Sequence, residues 1–148
     1  FFRPTFYAEV SDIPFALDDD TANLYYFSTT IYQDNGQSIY YRAVTDLSDN
    51  GSTKRKFFGR LEIIGDKIAN GIMQVRHTGD DYNTWSTYRS VDLNAPRAQL
   101  YLGGSDRRRA WEFLCTSNVP LRLDSAEIDF RIGEMDQEQN IGGGQYRR

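Results

Sequence analysis

The residues that could do chemistry are concentrated in one nine-residue stretch, HTGDDYNTW at positions 77–85. It contains the single histidine of the chain, His77, close to two adjacent carboxylates, Asp80 and Asp81. A histidine oriented by a carboxylate is the arrangement of a general base, and clustered carboxylates are possible calcium ligands. The same composition is also typical of a turn between two strands. The stretch is thus a catalytic loop, a metal-binding loop or a structural hairpin.

The catalytic and metal-binding interpretations have little support elsewhere in the sequence. No serine lies in the Gly-x-Ser-x-Gly pattern that presents a nucleophile, and the single Cys115 shares a strand face with two aromatic residues, which predicts a buried, unreactive thiol. One histidine and one cysteine exclude two-histidine and cysteine-based zinc motifs. Neither residues 18–20 nor residues 80–81 have the alternating spacing of a calcium loop. We therefore predict no catalytic residues, no metal site, no cofactor and no enzymatic activity.

The hairpin interpretation rests on a known motif. Positions 78–85 resemble the Asp-box hairpin, Ser/Thr-x-Asp-x-Gly-x-Thr-Trp, of sialidase-type and other propellers. The resemblance implies that the Asp80 carboxylate and the Thr84 hydroxyl bond to the turn, while Trp85 packs over the sheet. Tyr82 stands where the motif has glycine, at a position that favours a positive φ. We interpret Asp80, Thr84 and Trp85 as a structural hairpin.

The elements that must position this hairpin are short alternating strands. Residues 126–132 alternate apolar and charged side chains without interruption, as a half-buried strand does. Similar runs occupy residues 25–32, 38–45, 57–64, 71–77, 97–102 and 111–115. No segment has a sustained helical period with caps. The sequence predicts an all-β protein, either an antiparallel β-sandwich or a propeller-blade-like arrangement.

The two ends of the chain differ from residues 24–133, which we assign to the antiparallel β domain. Residues 1–23 contain two prolines and an acidic run, and we predict an extended arm that lies on the surface or on a neighbour. Residues 134–148 have almost no core-forming content and are predicted to be a flexible tail. Because the chain begins with phenylalanine rather than methionine, we expect it to be a piece of a larger protein.

Composition narrows the class of partner. A chain of 148 residues with 39% hydrophobic and 14% aromatic residues can bury the core of one domain. The net charge of -4 and the pI near 5.0 argue against a domain that grips DNA, because such domains are basic. No apolar run is long enough to span a membrane.

Basic residues are nevertheless concentrated in two predicted turns. They are Lys54, Arg55 and Lys56 in the first turn, and Arg107, Arg108 and Arg109 in the second. Local basic clusters on an acidic chain suit salt-bridged contacts with a neighbouring subunit, and a solvent-exposed hairpin tip is the alternative. No row of aromatic residues accompanies them in sequence, which disfavours binding to single-stranded nucleic acid. We predict that these six residues are candidate interface residues.

The order of motifs in the back half resembles the tail nozzle proteins of short-tailed phages, the packaged-DNA stabilisation family. In that family an Asp-box-like hairpin is followed by an arginine, a strand with L-G-x-x-R, an aromatic strand, a proline and a G/S-A strand. The corresponding positions here are 80–85, Arg89, 97–103, 107–113, Pro120 and 125–126. The resemblance covers roughly residues 37 to 132. The chain departs from the pattern at Tyr82, and it is far shorter than a full nozzle protein.

The resemblance implies a structural protein of the virion tail rather than an enzyme. Such proteins form a ring, commonly six-fold, below the portal and adaptor, and they line the channel through which DNA leaves. It thus implies a homo-oligomer that contacts other tail proteins, with DNA passing nearby without sequence-specific binding. The acidic composition is compatible with this role, because an acidic wall repels phosphates.

The alternative function is a carbohydrate- or receptor-binding β-sandwich module of a tail fibre or a secreted protein. Its basis is the abundance of Tyr and Trp, whose rings stack on sugar faces and at interfaces. Alternation places Tyr40, Tyr88 and Tyr101 at exposed strand positions, which makes them a candidate ligand platform. Tyrosines that cover half-buried strands would account for the same composition. A sialidase-type hydrolase would further require three converging arginines and a catalytic tyrosine.

Overall fold

The computed structural model describes residues 4–101 and 103–133, and these residues form strands and turns without a helix. The strands are, in chain order, β1 (Pro4–Val10), β2 (Ile13–Asp18), β3 (Leu24–Tyr26), β4 (Gln33–Asp34), β5 (Gln37–Ser38), β6 (Tyr41–Val44), β7 (Lys56–Gly65), β8 (Ile72–Thr78), β9 (Arg89–Asp92), β10 (Ala98–Tyr101), β11 (Ser105–Asp106), β12 (Ala110–Cys115) and β13 (Leu123–Ile132). The all-β prediction is confirmed. The predicted flexible tail, residues 134–148, lies outside the described residues.

Two antiparallel sheets form a sandwich. In the β12 sheet the order is β6-β12-β8-β9, and in the β7 sheet β10 and β11 share one edge of β7 while β13 pairs with the other edge. Side chains from both sheets meet in one core, where the rings of Phe58 and Trp111 lie 6.0 Å apart at 80°. Of the two arrangements that the sequence left open, the structure shows the sandwich.

The core follows from alternation along each strand, with one interruption. Trp111, Phe113 and Cys115 are all buried on one face of β12, as predicted. The buried residues of β7 include Phe58 and Leu61, which strict alternation would place on opposite faces. A register shift against β13 at this point inserts one extra residue into β7, and the β-bulge returns both side chains to the core.

The prediction of an extended arm over residues 1–23 is wrong for the part that the structure describes. Strands β1, β2 and β3 form an antiparallel meander, called here the N-terminal sheet. Ser11 and Asp12 both have positive φ, of 52° and 63°, and close a two-residue hairpin loop between β1 and β2. The sequence did not predict this sheet because proline is disfavoured within strands, but Pro14 is accommodated within β2. None of its strands contacts a strand of the sandwich.

A short hairpin links the N-terminal sheet to the sandwich. Asn35 and Gly36, with φ of 46° and 78°, form the turn between β4 and β5, as expected for an Asn-Gly dipeptide. The backbone N–H of Tyr32 donates a hydrogen bond of 2.7 Å to Asn118 Oδ1, which fixes the start of this link to the sandwich. The strands predicted over residues 25–32 and 38–45 are shorter than predicted, since β3 ends at Tyr26 and β6 spans only Tyr41–Val44.

Candidate functional site

The Asp80 turn connects β8 to β9, and its carboxylate holds the turn closed. One carboxylate oxygen accepts hydrogen bonds from the Thr84 N–H at 2.9 Å and the Thr78 hydroxyl at 2.7 Å. The other accepts the Thr84 hydroxyl at 2.5 Å. These bonds, with that of the Thr84 hydroxyl the strongest contributor, lower the pKa of Asp80 from 3.8 to about 2. The carboxylate is therefore ionised at neutral pH and occupied by the turn itself.

Tyr82 adopts the backbone conformation that the Asp-box motif reserves for glycine. Asp81 and Tyr82 have φ of 57° and 65°, in the left-handed region that is unfavourable for a bulky side chain. The Tyr82 hydroxyl donates a hydrogen bond of 3.1 Å to the Thr45 carbonyl, and its ring lies 6.0 Å from that of Trp85. These contacts offset the strain, so the turn keeps its shape without the glycine.

Trp85 packs on the outer face of the β12 sheet, where it contacts an arginine. The guanidinium carbon of Arg76 lies 4.7 Å from the centre of the Trp85 ring and 4.5 Å from that of Tyr88. A cation over aromatic faces at these distances is attracted by the ring quadrupoles. The segment between β8 and β9 thus places the rings of Trp85 and Tyr88 against Arg76 of β8.

A buried carboxylate joins this arginine to a second one. Glu112 lies at the centre of the outer face of β12, and both its oxygens accept hydrogen bonds, one from Arg42 Nε and one from Arg76 Nε. Burial alone would raise the pKa of Glu112, but the bonds and charges of the two arginines outweigh it, and the pKa lies below its usual value. We call Arg42, Arg76, Glu112, Trp85 and Tyr88 the arginine–aromatic cluster.

Only part of the predicted tyrosine platform is brought together. Tyr40 and Tyr88 both lie close enough to Arg42 to raise the pKa of its guanidinium slightly, in addition to the larger effect of Glu112. Tyr101 belongs to β10 in the opposite sheet, where its hydroxyl meets Gln99. The structure thus places Tyr40 and Tyr88 beside one arginine and Tyr101 on a strand of the other sheet, because strand alternation cannot reveal which sheet a strand joins.

The arginine–aromatic cluster has the chemistry of a site for an anionic ligand with an apolar face. Arg42 and Arg76 each bond Glu112 through Nε, which leaves their terminal N–H groups outside that pair. The Arg42 side chain is 53% exposed and Tyr40 is 66% exposed. Guanidinium groups recognise carboxylates in a planar, two-pronged geometry, and the neighbouring rings can stack on a sugar.

His77 lies at the opposite side of β8, against the core. Its Nδ1 is 3.2 Å from the Ser86 hydroxyl, and its ring centre is 5.5 Å from that of Trp111. Burial lowers the pKa of His77, and the charge of Arg109 lowers it further, against an opposing effect of Asp106. The histidine is thus half-buried and packed, and its closest polar partner is a hydroxyl rather than an orienting carboxylate.

The structure separates His77 from Cys115. His77 pairs with Trp111 across β8 and β12, whereas Cys115 pairs with Met73 four residues further along. Four residues of strand span about 13 Å. Cys115 is a free, buried cysteine, as predicted, and the two side chains form no pair.

The two basic turns meet at one edge of the β7 sheet, but two of the six predicted interface residues are buried. Lys56 is fully buried, and its ammonium donates to the carbonyl oxygens of Ser52, Lys54 and Arg107. Arg109 pairs with Asp106 and covers the ring of Phe58, 3.8 Å from its centre. The interface prediction is wrong for both residues, because each side chain is buried and its charge is bound by groups of the same fold.

The other four basic residues remain exposed: Lys54, Arg55, Arg107 and Arg108. Strand β11 pairs with the start of β7, and this pairing brings the two turns side by side. Arg55 Nη1 donates a hydrogen bond of 3.1 Å to the Ser105 hydroxyl across them. The structure therefore forms one basic edge from two separate sequence clusters.

Sequence reasoning missed Arg42, Arg76 and Glu112. The three lie on different strands, separated by as many as 70 positions, and only the β6-β12-β8 order makes them neighbours. A weak signal existed, because Glu112 interrupts an otherwise apolar strand of sequence AWEFLC. A carboxylate inside such a run requires a partner of opposite charge.

The part of the chain that the structure describes offers neither a metal site nor a membrane-spanning helix. Within residues 4–101 and 103–133, no three His, Cys, Asp or Glu side chains lie close enough to hold a metal ion. The same part of the chain contains no helix with the length and hydropathy of a membrane span. No protein-family model matches the chain, and no curated protein matches its sequence significantly.

Proposed function

We propose that the protein is a structural component of a phage tail or head-to-tail assembly that acts through protein–protein contacts. The observation that carries this proposal is the amount of large apolar surface that the first third of the chain exposes. Among the residues that the structure describes, twelve of the nineteen exposed large hydrophobic ones lie between Phe6 and Val44. Contiguous exposed apolar surface marks sites of protein contact in otherwise water-soluble folds.

The polar side chains with catalytic potential support the same proposal. Asp80 is bonded by Thr84 and Thr78, and Glu112 is bonded by two arginines. The ammonium of Lys56 donates hydrogen bonds to three carbonyl oxygens. These groups stabilise the sandwich, which is what a scaffold in an assembly requires. The resemblance of residues 37 to 132 to tail nozzle proteins is the reason for proposing that this assembly is a phage tail.

In this role the protein forms a homo-oligomer, arranged as a ring, and contacts other tail proteins. DNA passes nearby without sequence-specific binding, because the chain carries a net charge of -4 and an acidic wall does not retain phosphates. The exposed basic edge of Lys54, Arg55, Arg107 and Arg108 is available for salt bridges to an acidic neighbour.

The test is to find the chain in assembled particles. Phage particles purified from the source of the gene are labelled with a gold-conjugated antibody raised against the chain, and viewed by electron microscopy. We expect gold at the tail, and we expect peptides of the chain in the mass spectrum of the same particles. Particles that carry neither label nor peptide would overturn the proposal.

A second candidate function is the binding of an acidic carbohydrate, and the arginine–aromatic cluster favours it. Calorimetry with an oligosaccharide of uronic or sialic acids and with a neutral oligosaccharide of equal length tests this. Binding of the acidic sugar alone, lost in Tyr88→Ala and kept in Tyr101→Ala, is the expected result. The second variant is the matched control, because Tyr101 lies on the opposite sheet. Equal binding by both variants would contradict the assignment of the cluster.

A further inference from the structure

One complete face of the N-terminal sheet is apolar. Cross-strand partners share a face of a sheet, and the pairs on this face are Phe6 with Leu17, Ala8 with Phe15, Val10 with Ile13, Phe15 with Tyr26 and Leu17 with Leu24. We call these eight residues the apolar face. It contains no charged residue, whereas Glu9 and Asp18 lie on the other face of the same strands.

The apolar face is exposed to solvent. Leu24 is 64% exposed, and Phe6 and Val10 are each 59% exposed. The opposite face is covered at its centre, where Ala16 is completely buried and the rings of Tyr7 and Phe27 stack 6.4 Å apart, but Tyr7 itself is exposed. Strands β1 to β3 contact no strand of the sandwich. A three-stranded sheet needs a covered apolar face to be stable in water. No strand among the described residues packs against this face, although Phe15 and Leu17 at its centre are half-buried.

We propose that the apolar face packs against the same face of a second copy of this chain. This inference rests on the proposed assembly role and adds to it a two-fold contact between copies, beside the head-to-tail contacts that a ring requires. A surface without charges can meet itself across a two-fold axis without repulsion, whereas the remainder of an acidic chain repels its copy. Homodimer interfaces are also the most apolar class of protein interface.

The dimensions of the face are sufficient for such a contact. Three strands of six or seven residues make a surface about 20 Å long and about 15 Å wide, and two sheets pack face to face about 10 Å apart. Two copies would bury on the order of 1,000 Å², the lower range of specific interfaces. A groove of about 830 Å³ lies beside β3 and is lined in part by Leu24 and Tyr26 of the apolar face and by Ile31 and Ile39. It gives room for the partner to extend the contact.

The test compares two lysine substitutions on neighbouring residues of β1. Phe6→Lys places a charge on the apolar face, and Tyr7→Lys places the same charge on the opposite face, where Tyr7 pairs with Ala16. Both positions are exposed, and neither belongs to the sandwich, so the core should remain folded in both variants. A second variant of the face, Leu24→Lys, repeats the test on β3. The molar mass of the full chain is measured by light scattering and sedimentation over a range of concentrations.

We expect the wild type and Tyr7→Lys to self-associate, and we expect Phe6→Lys and Leu24→Lys to weaken association at least tenfold. Trp fluorescence spectra like that of the wild type would show that the sandwich is intact. A monomeric wild type, or association unchanged in both face variants, would overturn the inference. The proposed function can fail separately: a chain that self-associates through this face but is absent from phage particles retains the inference and loses the function.

Discussion

At the scale of single residues, hydrogen-bonded charges set the pH dependence of this protein. Asp80 keeps a pKa of about 2 because three donors stabilise its charged form. A depressed carboxyl pKa contributes stability above the unfolded-state pKa of 3.8, and this contribution is lost as the pH falls toward about 2. Asp81, its neighbour, forms no hydrogen bond or ion pair to the other described residues, so the two positions form a matched pair.

We predict that Asp80→Asn lowers the thermal unfolding midpoint at neutral pH, while Asp81→Asn leaves it nearly unchanged. Asparagine tolerates the left-handed conformation of Asp81, so that control adds no strain. Scanning calorimetry at several pH values measures both effects. The deficit of Asp80→Asn should shrink as the pH falls from about 4 to about 2. A deficit that persists unchanged at the lowest pH would show that the charge of Asp80 contributes nothing.

His77 is predicted to make the fold less stable as the pH falls below its ordinary pKa. Burial and Arg109 lower the pKa of His77 from 6.5 in the folded state. The unfolded state therefore binds a proton more readily than the folded state does. The free energy of unfolding is highest above about pH 6.5 and falls as the pH drops below it. Urea midpoints at about pH 7.5 and about pH 5.5 measure this. In His77→Gln the urea midpoints at the two pH values should differ less than in the wild type. An equal difference in both proteins would contradict the prediction.

At the scale of elements, close packing leaves no room for a side chain at Gly79. A Cβ on Gly79 would lie 2.7 Å from the Asp106 carboxylate, which pairs with the buried Arg109. A Cβ on Gly59 would meet only the Asp129 carbonyl at 3.6 Å, an ordinary contact. The turn after β8 and the strand β11 are therefore joined through a contact that admits no side chain.

We predict that Gly79→Ala destabilises the protein by about 1–3 kcal/mol, because the methyl group displaces Asp106 from Arg109. Gly59→Ala should change stability by less than about 1 kcal/mol. Urea unfolding followed by Trp fluorescence gives both values. Equal effects of the two substitutions would mean that the approach of Gly79 to Asp106 does not contribute to stability.

At the scale of the whole molecule, the sandwich and the N-terminal sheet are separate packing units. No strand of one contacts a strand of the other, and the linking segment is held at Tyr32 by Asn118. We predict that removal of residues 1–31 leaves a sandwich that unfolds cooperatively, with a midpoint within a few degrees of the monomeric full-length protein. The same truncation should abolish self-association. Loss of cooperative unfolding would show that the N-terminal sheet belongs to the core.

The sequence by itself determined the local features. Alternation in residues 111–115 and 126–132 predicted strands, and Asn35-Gly36 favoured a tight hairpin, because these preferences depend on neighbours within a few positions. The hairpin at Asp80 was predictable for the same reason, since its partners Thr78 and Thr84 are two and four residues away. The N-terminal sheet was missed although its apolar residues also alternate, because Pro4 and Pro14 outweighed the pattern.

Tertiary structure alone decided which distant residues become neighbours. Arg42, Arg76 and Glu112 meet because β12 lies between β6 and β8, and no local pattern encodes that order. The same order separated Tyr101 from Tyr40. Lys56 and Arg109 resemble surface residues in sequence, but the fold surrounds one with carbonyl oxygens and lays the other on an aromatic ring. Strand order and burial are set by the packing of the whole chain, so charge pairing across strands follows from the fold and not from residue spacing.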